Sequence, residues 1–575
     1  MADTRKAYGE KENKMDASFW ADKRPQGIPN DIDLSQYSSI IDVFNQACVK
    51  HAQRPAFSNM GVTLTYADLD RYSAAFAAYL QQHTALQPGD RIAIQMPNVL
   101  QFPIAVFGAI RAGLVVVNTN PLYTAREMRH QFKDSGARAL IFMNMFGHLV
   151  EEVLPDTEIE FLFEARLGDM LPGLKGTLIN AAVKHVKKMV PSYSLPKAVS
   201  FKAALKRCKG QRPTAVTRTL EDVAVLQYTG GTTGVAKGAM LTHGNLVANM
   251  LQVYANMQQI DSEGKKISGE PGEVIIAPLP LYHIFAFTVN CMCMMIAGHH
   301  NVLISNPRDI PGFIEELKKW QFSSVVGLNP LFVALMDPPD FDKLDFSRLK
   351  STGSGGTALV KATAERWEKR TGCRIGEGYG LTECSPVVTS SPGDGLARIG
   401  SVGLPAPGTA LKVIDENGVE QGIGERGELC VKGPQVMKGY WNRPEATDEV
   451  LDAEGWFRTG DVAIIDEDGF VSIVDRIKDL IIVSGFNVYP NEIEDVVAAH
   501  PKVANAAAIG VPDEKSGEAV KLFVVPSDKS LTVDELKEYC RANFTGYKVP
   551  KQYEIRESLP MSAVGKILRR ELRDE

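Results

Sequence analysis

Between residues 223 and 250 the chain has a narrow choice of structure. Val223-Ala-Val-Leu226 is a continuous apolar run suited to a strand covered on both faces, and Ala239 to Met250 reads as the approach to a helix. The stretch between them, Tyr228-Thr-Gly-Gly-Thr-Thr-Gly-Val-Ala-Lys237-Gly238, places Thr229, Gly230, Gly231, Thr232, Thr233 and Gly234 in succession, and a lone lysine follows. Glycine lets backbone N–H groups come close to a ligand, the hydroxyls add donors, and Lys237 adds charge. A strand that breaks in this way suits an anion, and phosphate in particular. The spacing is not that of the ordinary P-loop, because Lys237 is followed by Gly238 and not by Ser or Thr. A plain glycine turn is the alternative, so the rest of the chain has to decide.

Around this loop, helical and strand patterns alternate. Ser38 to Gln53 and Tyr66 to Gln82 carry apolar residues at helical spacing. Arg91-Ile-Ala-Ile-Gln95 and Leu114-Val-Val-Val-Asn118 read as buried strands on either side of a helix from Phe102 to Ala112. Such alternation predicts an α/β fold with parallel strands. Beyond Gly400 short strands and Asp/Gly turns predict a small antiparallel β subdomain, and the last hundred or so residues a compact α+β unit. The expected organisation is a polar lead-in over residues 1–35, a large N-terminal domain over 36–477, and a mobile C-terminal domain over 478–575.

The chain has 575 residues, too many for a single core, and a net charge of −6, which argues against a nucleic-acid-binding surface. Its eight cysteines show no spacing with histidines that suits zinc, and reduced, buried thiols in a cytoplasmic protein are expected. Met1 to Lys14 lacks the apolar core of a signal peptide. The longest apolar run, Phe285 to Gly298, falls about four residues short of a membrane span and is interrupted by Asn290. A different segment bears on membranes. Leu178, Ile179, Ala182, Val183, Val186, Met189 and Val190 share an arc of roughly 140° on a helical wheel, with Lys184, His185, Lys187 and Lys188 opposite. The plainer expectation is a helix packed on the domain by its apolar face; the other is peripheral docking to anionic lipid headgroups.

Downstream lie further groups with chemistry. Two prolines hold Tyr282 and His283 in a rigid turn, where His283 suits either a general base or a hydrogen-bonded structural role. Gly353-Ser-Gly-Gly-Thr357 is a strand-end turn containing Gly355 and Gly356, and Tyr379-Gly-Leu-Thr-Glu383 brings together an aromatic ring, a hydroxyl and a carboxylate. With the glycine-threonine loop and a lysine near the C-terminus, these suggest nucleoside triphosphate chemistry, with Glu383 a candidate Mg²⁺ ligand.

The loop Tyr228–Gly238, the run Tyr379–Glu383, Gly455-Trp-Phe-Arg-Thr-Gly-Asp461, Asp475-Arg476, Ser484-Gly-Phe-Asn-Val-Tyr-Pro490 and the tail Val564-Gly-Lys-Ile-Leu-Arg-Arg-Glu-Leu572 occur in the order of the acyl-adenylate-forming (AMP-binding) enzymes. The chain resembles that family from about residue 25 onward, and within it the long-chain fatty acid–CoA ligase branch. The resemblance implies a two-step reaction, in which a fatty carboxylate and ATP give acyl-AMP and pyrophosphate, and coenzyme A then gives acyl-CoA and AMP. In a cell such a product would feed β-oxidation. It implies that residues 229–237 hold the β- and γ-phosphates and that Tyr379 packs on adenine beside Gly355 and Gly356. Thr382 would approach the α-phosphate, Glu383 with Thr229 would hold Mg²⁺, and Asp461 and Arg476 would meet the ribose. Lys566 would bridge carboxylate and α-phosphate. Lys478 falls at the family's hinge, Gly485 in the loop expected to approach the thiol after rotation, and His283 near the substrate carboxylate. Phe287 stands where some relatives carry a tryptophan proposed to gate the acyl tunnel. Another carboxylic acid, medium-chain or aryl, or transfer to a separate carrier protein, is the alternative. The chain runs nine residues past Lys566, so an attached carrier domain is not expected. Oligomeric state, a homodimer included, is left open.

Overall fold

The computed structural model describes residues 17–229, 236–261, 263–393, 396–562 and 565–575. Four sheets organise them. The first has seven strands in the order Val199–Ser200, Phe161–Ala165, Ala137–Met143, Arg91–Gln95, Val115–Asn118, Val223–Tyr228 and Gly238–Thr242. Every neighbour pair is parallel except the last, where the strand after the glycine-threonine loop returns antiparallel. The second sheet has nine strands. Its centre, Pro55–Asn59, His300–Leu303, Val274–Ala277, Ser324–Gly327, Ser351–Gly355 and Ile375–Gly380, is parallel, and its edges are antiparallel. The expected α/β class and strand alternation are therefore present, with the ends of the first helices and strands displaced by up to three residues. The stretch from Ala239, read as the approach to a helix, first forms the strand Gly238–Thr242, and the helix His243–Asn256 follows.

Burial on both faces explains the apolar runs. In the helix Gln101–Arg111 every residue from Gln101 to Ile110 is buried. At roughly 25 cal/mol per Å² of apolar surface, each fully buried Phe or Ile in it contributes about 2 kcal/mol. The helix Tyr66–His83 packs against it and starts at a capping box, in which Thr65 accepts from the Asp68 N–H and the Asp68 carboxylate accepts from the Thr65 N–H. The run from Phe285 to Gly298 is apolar for the same reason. It forms a short helical turn, a π-turn over Phe287–Met292 and a 3-10 turn over Cys293–Met295, nearly all of it buried. Among the described residues no helix is long and apolar enough to cross a membrane. All eight cysteines are free and buried, and burial pushes the Cys291 and Cys293 thiols far up.

The third sheet is antiparallel and four-stranded: Ala410–Ile414, Gly427–Lys432, Phe457–Ile465 and Val471–Arg476. A 3-10 turn, Ile477–Asp479, leads from it to the fourth sheet, built on the long hairpin Val503–Asp513 and Gly517–Pro526 with helices Pro490–Ala498 and Val533–Asn543.

The lead-in gains a detail here, and one expectation is corrected. The N-terminal lead-in is anchored where it is described: Trp20 is buried, its indole N–H donates to the Gly469 carbonyl at 3.0 Å, and Arg24 donates to the Pro405 carbonyl at 2.6 Å. Gly469, at φ +80°, has no Cβ to strike that indole. The amphipathic segment does form a helix, Gly173–Ala181, continued by a π-turn over Ala182–Val186, but it is not packed by its apolar face. Leu178, Val186 and Met189 are exposed, and Ile179, Ala182, Val183 and Val190 are only half-buried. The inward contacts go instead through Gly176 and Asn180.

Candidate active site

The carboxyl ends of strands from both large sheets open into one cleft of about 2540 Å³, which the C-terminal domain closes from above. Parallel strands leave their loops at that end, which is where open α/β sheets bind ligands. Tyr228, Thr229 and Lys237 line it from the first sheet, and His283, Gly355, Gly356, Tyr379, Thr382 and Glu383 from the second. Asp461 and Arg476 line it from the antiparallel sheet, Lys478 from the 3-10 turn Ile477–Asp479, and Lys566 from the C-terminal tail. Residues 230, 231, 232, 233 and 234, the centre of the glycine-threonine loop, lie outside the described residues. The loop's two ends are joined, Thr229 N–H donating to the Lys237 carbonyl at 2.9 Å. Tyr228 is committed elsewhere: its hydroxyl donates to Asp134 at 2.7 Å, and Arg443 holds the other oxygen of that carboxylate at 2.6 Å. It fixes the strand end.

On the far side, Asp461 and Arg476 face each other as partners on adjacent antiparallel strands, with Arg476 Nε 3.1 Å from the Asp461 carboxylate. The Tyr379 hydroxyl donates to the other carboxylate oxygen at 2.5 Å. Burial, then the Asp461 charge, holds the Tyr379 phenol protonated far above its usual range, so it acts only as a donor there. Three residues from three motifs thus form one rigid corner. Gly355 lies so close to the Phe285 ring and the Gly378 carbonyl that a Cβ would come within 3.2 Å of each, and Gly356 turns the chain at φ +84°.

Lys566 reaches this corner from the tail. A Cβ on Gly356 would stand 3.8 Å from its Cε, and a turn fixes its backbone, with Lys566 N–H donating to Ser562 Oγ at 3.0 Å. Burial, then the neighbouring Arg476 guanidinium, lowers the ammonium pKa to about 8, against the opposing pull of Asp461 and Glu383. His283 accepts from the Phe285 N–H through Nδ1 at 3.4 Å, and burial, with the Lys566 charge, lowers its pKa to about 3. A neutral imidazole with Nδ1 accepting carries its proton on Nε2, so it offers the cleft a hydrogen-bond donor rather than a base.

Glu383 sits on the 3-10 turn Thr382–Cys384, and its Oε1 accepts from the Tyr440 hydroxyl at 2.7 Å. The Tyr440 ring also lies under Lys237, whose Nζ is 5.0 Å from the ring centroid. Tyr440 thus joins the carboxylate to the lysine of the glycine-threonine loop, a role that the sequence reading missed. No local signal marks it. It arrives because residues 438–441 lie along the returning strand, with Trp441 N–H donating to the Gly238 carbonyl at 2.8 Å and Met240 N–H to the Gly439 carbonyl at 2.9 Å. Among the described residues no three His, Cys, Asp or Glu side chains gather as a metal cluster. One carboxylate in a cleft also lined by Thr229 and Thr382 is, however, a donor set that suits Mg²⁺ carried in on phosphate oxygens and water.

A second group missed in the sequence steadies the tail. Arg569 pairs with Glu494 at 2.7 Å and with Asp479 at 3.4 Å, Arg573 pairs with Asp479 at 2.9 Å, and Arg569 also donates to Asn491 at 2.6 Å. Asn491 in turn donates from its N–H to Asp475 at 2.8 Å, across the turn Ile477–Asp479. Beside these, burial lowers the Lys478 pKa to about 8.

Two candidates stand apart from the cleft. Phe287 is fully buried, edge-on to Phe102 at 6.5 Å, and does not line the cleft. Two residues earlier Phe285 does; two residues along a helical turn point roughly 200° apart, so Phe287 faces the core. Phe287 thus stands behind the cleft wall and not on it. Gly485, at φ +84° in an exposed hairpin turn of the C-terminal domain, also lies outside the cleft, and a Cβ there would meet nothing within 4 Å. The arrangement presents Lys566, and not the Gly485 turn, to the cleft.

Comparison with known proteins agrees with this geometry. Residues 44–441 match the model of the AMP-binding enzyme, and residues 492–566 that of the AMP-binding enzyme C-terminal domain. A long-chain-fatty-acid–CoA ligase of Salmonella typhimurium is 53% identical over 559 residues, covering 97% of this chain and 98% of that protein. A protein of the same description from Bacillus subtilis is 35% identical over 97% of this chain and 98% of its own. The crystal structure of the anthranilate CoA ligase AuaEII with anthranoyl-AMP superposes at a TM-score of 0.82, covering 94% of this chain and 98% of that one; at 23% identity it speaks to the fold alone. Two family models matched in order across a cleft that both domains line leave one conclusion: the chain belongs to the AMP-binding enzyme family.

Proposed function

We propose that this protein is an ATP-dependent long-chain fatty acid–CoA ligase that works through an acyl-adenylate. The observation that carries the reading is Lys566, delivered by the C-terminal domain into the cleft that holds Glu383 and the Asp461–Arg476 corner. The substrate class follows relatives such as the Salmonella protein, and part of the cleft lining is apolar to suit it, where Val253, Met257 and Val387 pack around Val289.

In the first step a carboxylate oxygen attacks the α-phosphorus of ATP, the bond from that phosphorus to the bridging oxygen breaks, and pyrophosphate leaves with the electron pair. Lys237 and the glycine-threonine loop hold the departing phosphates. Tyr379 packs beside adenine, and Asp461, fixed by Arg476, accepts from the ribose hydroxyls. Thr382 lies toward the α-phosphate, His283 Nε2–H orients the carboxylate, and the Lys566 ammonium stabilises charge on the oxygens between them. Glu383 and Thr229 would hold Mg²⁺, which when bound neutralises phosphate charge. In the second step the tail swings away at Lys478, the Gly485 turn comes in, and the coenzyme A sulfur attacks the acyl carbon, expelling AMP. The thioester feeds β-oxidation, and the protein works in peripheral contact with an anionic membrane.

A pyrophosphate-release assay across carboxylates of increasing chain length, with and without coenzyme A, tests the reading. Release that rises with long-chain acids, with thioester formed only when coenzyme A is present, is the expected result; release confined to aryl or short acids would overturn the substrate class.

Two smaller effects follow from the geometry. Tyr440→Phe removes a hydrogen bond to a charged carboxylate, worth about 1.5–3 kcal/mol, so the Mg²⁺ concentration for half-maximal adenylation should rise roughly tenfold. A Mg²⁺ titration checks it. The second concerns pH. The cleft holds Lys566 below its ordinary 10.5, so its charged form is penalised at pH values under about 8, and the penalty fades as pH rises and the proton is lost. Adenylation needs that charge, so kcat/KM for ATP should fall as pH rises through about 8, while kcat, set in the ATP complex where phosphates favour the ammonium, should hold to higher pH. Lys478→Met is the control for the other lysine near 8 and should keep the limb.

A further inference from the structure

From residue 170 to residue 220 the chain has no acidic side chain, yet carries eight lysines and three arginines, in a protein whose net charge is −6. Arg212 and Arg218 are paired to Asp70 and Asp222. Lys184, Lys187, Lys188, Lys197, Lys206 and Lys209 are exposed, and among the described residues none has an ion-pair partner within 4.0 Å. This is the strongest segregation of charge in the sequence.

The same stretch bears the helix whose amphipathicity is inverted. Leu174 and Leu178 are 80% and 67% exposed, and Val186 and Met189 are 74% and 51% exposed on the turns that follow. The helix meets the domain through its polar and small residues. Gly176 lies against the Gly168 carbonyl so closely that a Cβ would clash, and Asn180 Oδ1 accepts from the Gly168 N–H at 2.7 Å. Leaving four large apolar side chains in water forgoes the burial free energy that ordinarily holds a helix in place. A contiguous apolar stripe ringed by unpaired lysines fits a surface that is apolar within and anionic at its rim.

We propose that residues 173–189 form the face by which this protein seats on an anionic lipid bilayer. Leu174, Leu178, Val186 and Met189 enter the interfacial region, and Lys184, Lys187 and Lys188, with the lysines of residues 197–209, meet the headgroups. This gives the peripheral contact named above a location and rests on that reading for its purpose, since a long-chain acid partitions into the same bilayer. Charge alone would also attract nucleic acid; the apolar stripe selects the bilayer.

The test is flotation of the full-length protein with vesicles of phosphatidylcholine, with and without phosphatidylglycerol. Wild type should partition onto the phosphatidylglycerol vesicles and lose them at high salt. Leu174→Gln/Leu178→Gln and Lys184→Glu/Lys187→Glu/Lys188→Glu should each weaken partition about tenfold or more. Both variants should keep wild-type pyrophosphate release on a long-chain acid delivered in cyclodextrin. That arm separates failure of docking from failure of the enzymatic reading. Should either variant fold poorly, Val186→Cys carries an environment-sensitive dye, the native cysteines being buried, and its emission should shift to the blue on phosphatidylglycerol vesicles only. No partition by wild type, unchanged partition by both variants, a silent dye, or retention of an RNA oligonucleotide in place of vesicles would each overturn the proposal.

Discussion

Replacing Lys566 by alanine is expected to slow acyl-adenylate formation about 10²–10³-fold, the loss that follows removal of one preorganised charge-stabilising donor. Thioester formation from supplied acyl-AMP should stay within about twofold of wild type, because an interaction used in one half-reaction leaves the other untouched. The asymmetry comes from how Lys566 is held. It sits on a tail braced by Arg569 and Arg573 against Glu494 and Asp479, so it enters or leaves the cleft with the domain that carries it. Its backbone turn, fixed by Ser562, needs nothing from the ammonium, and alanine should fold normally. Rapid-quench measurement of both half-reactions reads the result; equal loss in both would remove the lysine from its assigned step.

Glu383→Gln is expected to lower adenylation on the order of 10³-fold and to raise the Mg²⁺ demand, since one carboxylate is asked to anchor an ion worth several kcal/mol at the phosphates. Glutamine is the informative change. Its amide oxygen can still accept from Tyr440, and the backbone bond from the Met437 N–H to the residue-383 carbonyl is unaffected. Alanine would also strand the Tyr440 hydroxyl, at a cost of about 1–3 kcal/mol, and so confuse stability with function. Wild-type kinetics for Glu383→Gln at low Mg²⁺ would take Glu383 out of the metal site.

Elements covered on both faces were legible in the sequence, because burial leaves unbroken apolar runs such as Val115–Asn118 and Val223–Tyr228. The motif residues were legible because the strand ends that carry them are rich in glycine and hydroxyls, and Lys237, Glu383, Asp461 and Lys566 line one cleft. Tyr440 was not. Its partners, Lys237 and Glu383, are distant in sequence, and it reaches them only through strand pairing. The side that Phe287 faces was not legible either, because the motif fixes a position along the chain and not a direction around a helix; Phe285 takes the cleft side. The basic helix misled for a related reason. A wheel finds the apolar stripe, but which face meets the domain was decided by Gly176 and Asn180, whose contacts no periodicity reports.

The claim at the centre of the account is that a carboxylate oxygen attacks the α-phosphorus and the thiol then attacks the acyl carbon. One measurement tests it most directly: turnover of a long-chain acid labelled with ¹⁸O in both carboxylate oxygens, with mass analysis of the nucleotide and pyrophosphate products. Attack at the α-phosphorus, followed by thiol attack at the acyl carbon, leaves one labelled oxygen in AMP and none in pyrophosphate. Label in inorganic phosphate or pyrophosphate, with ADP or unlabelled AMP as the nucleotide product, would contradict it.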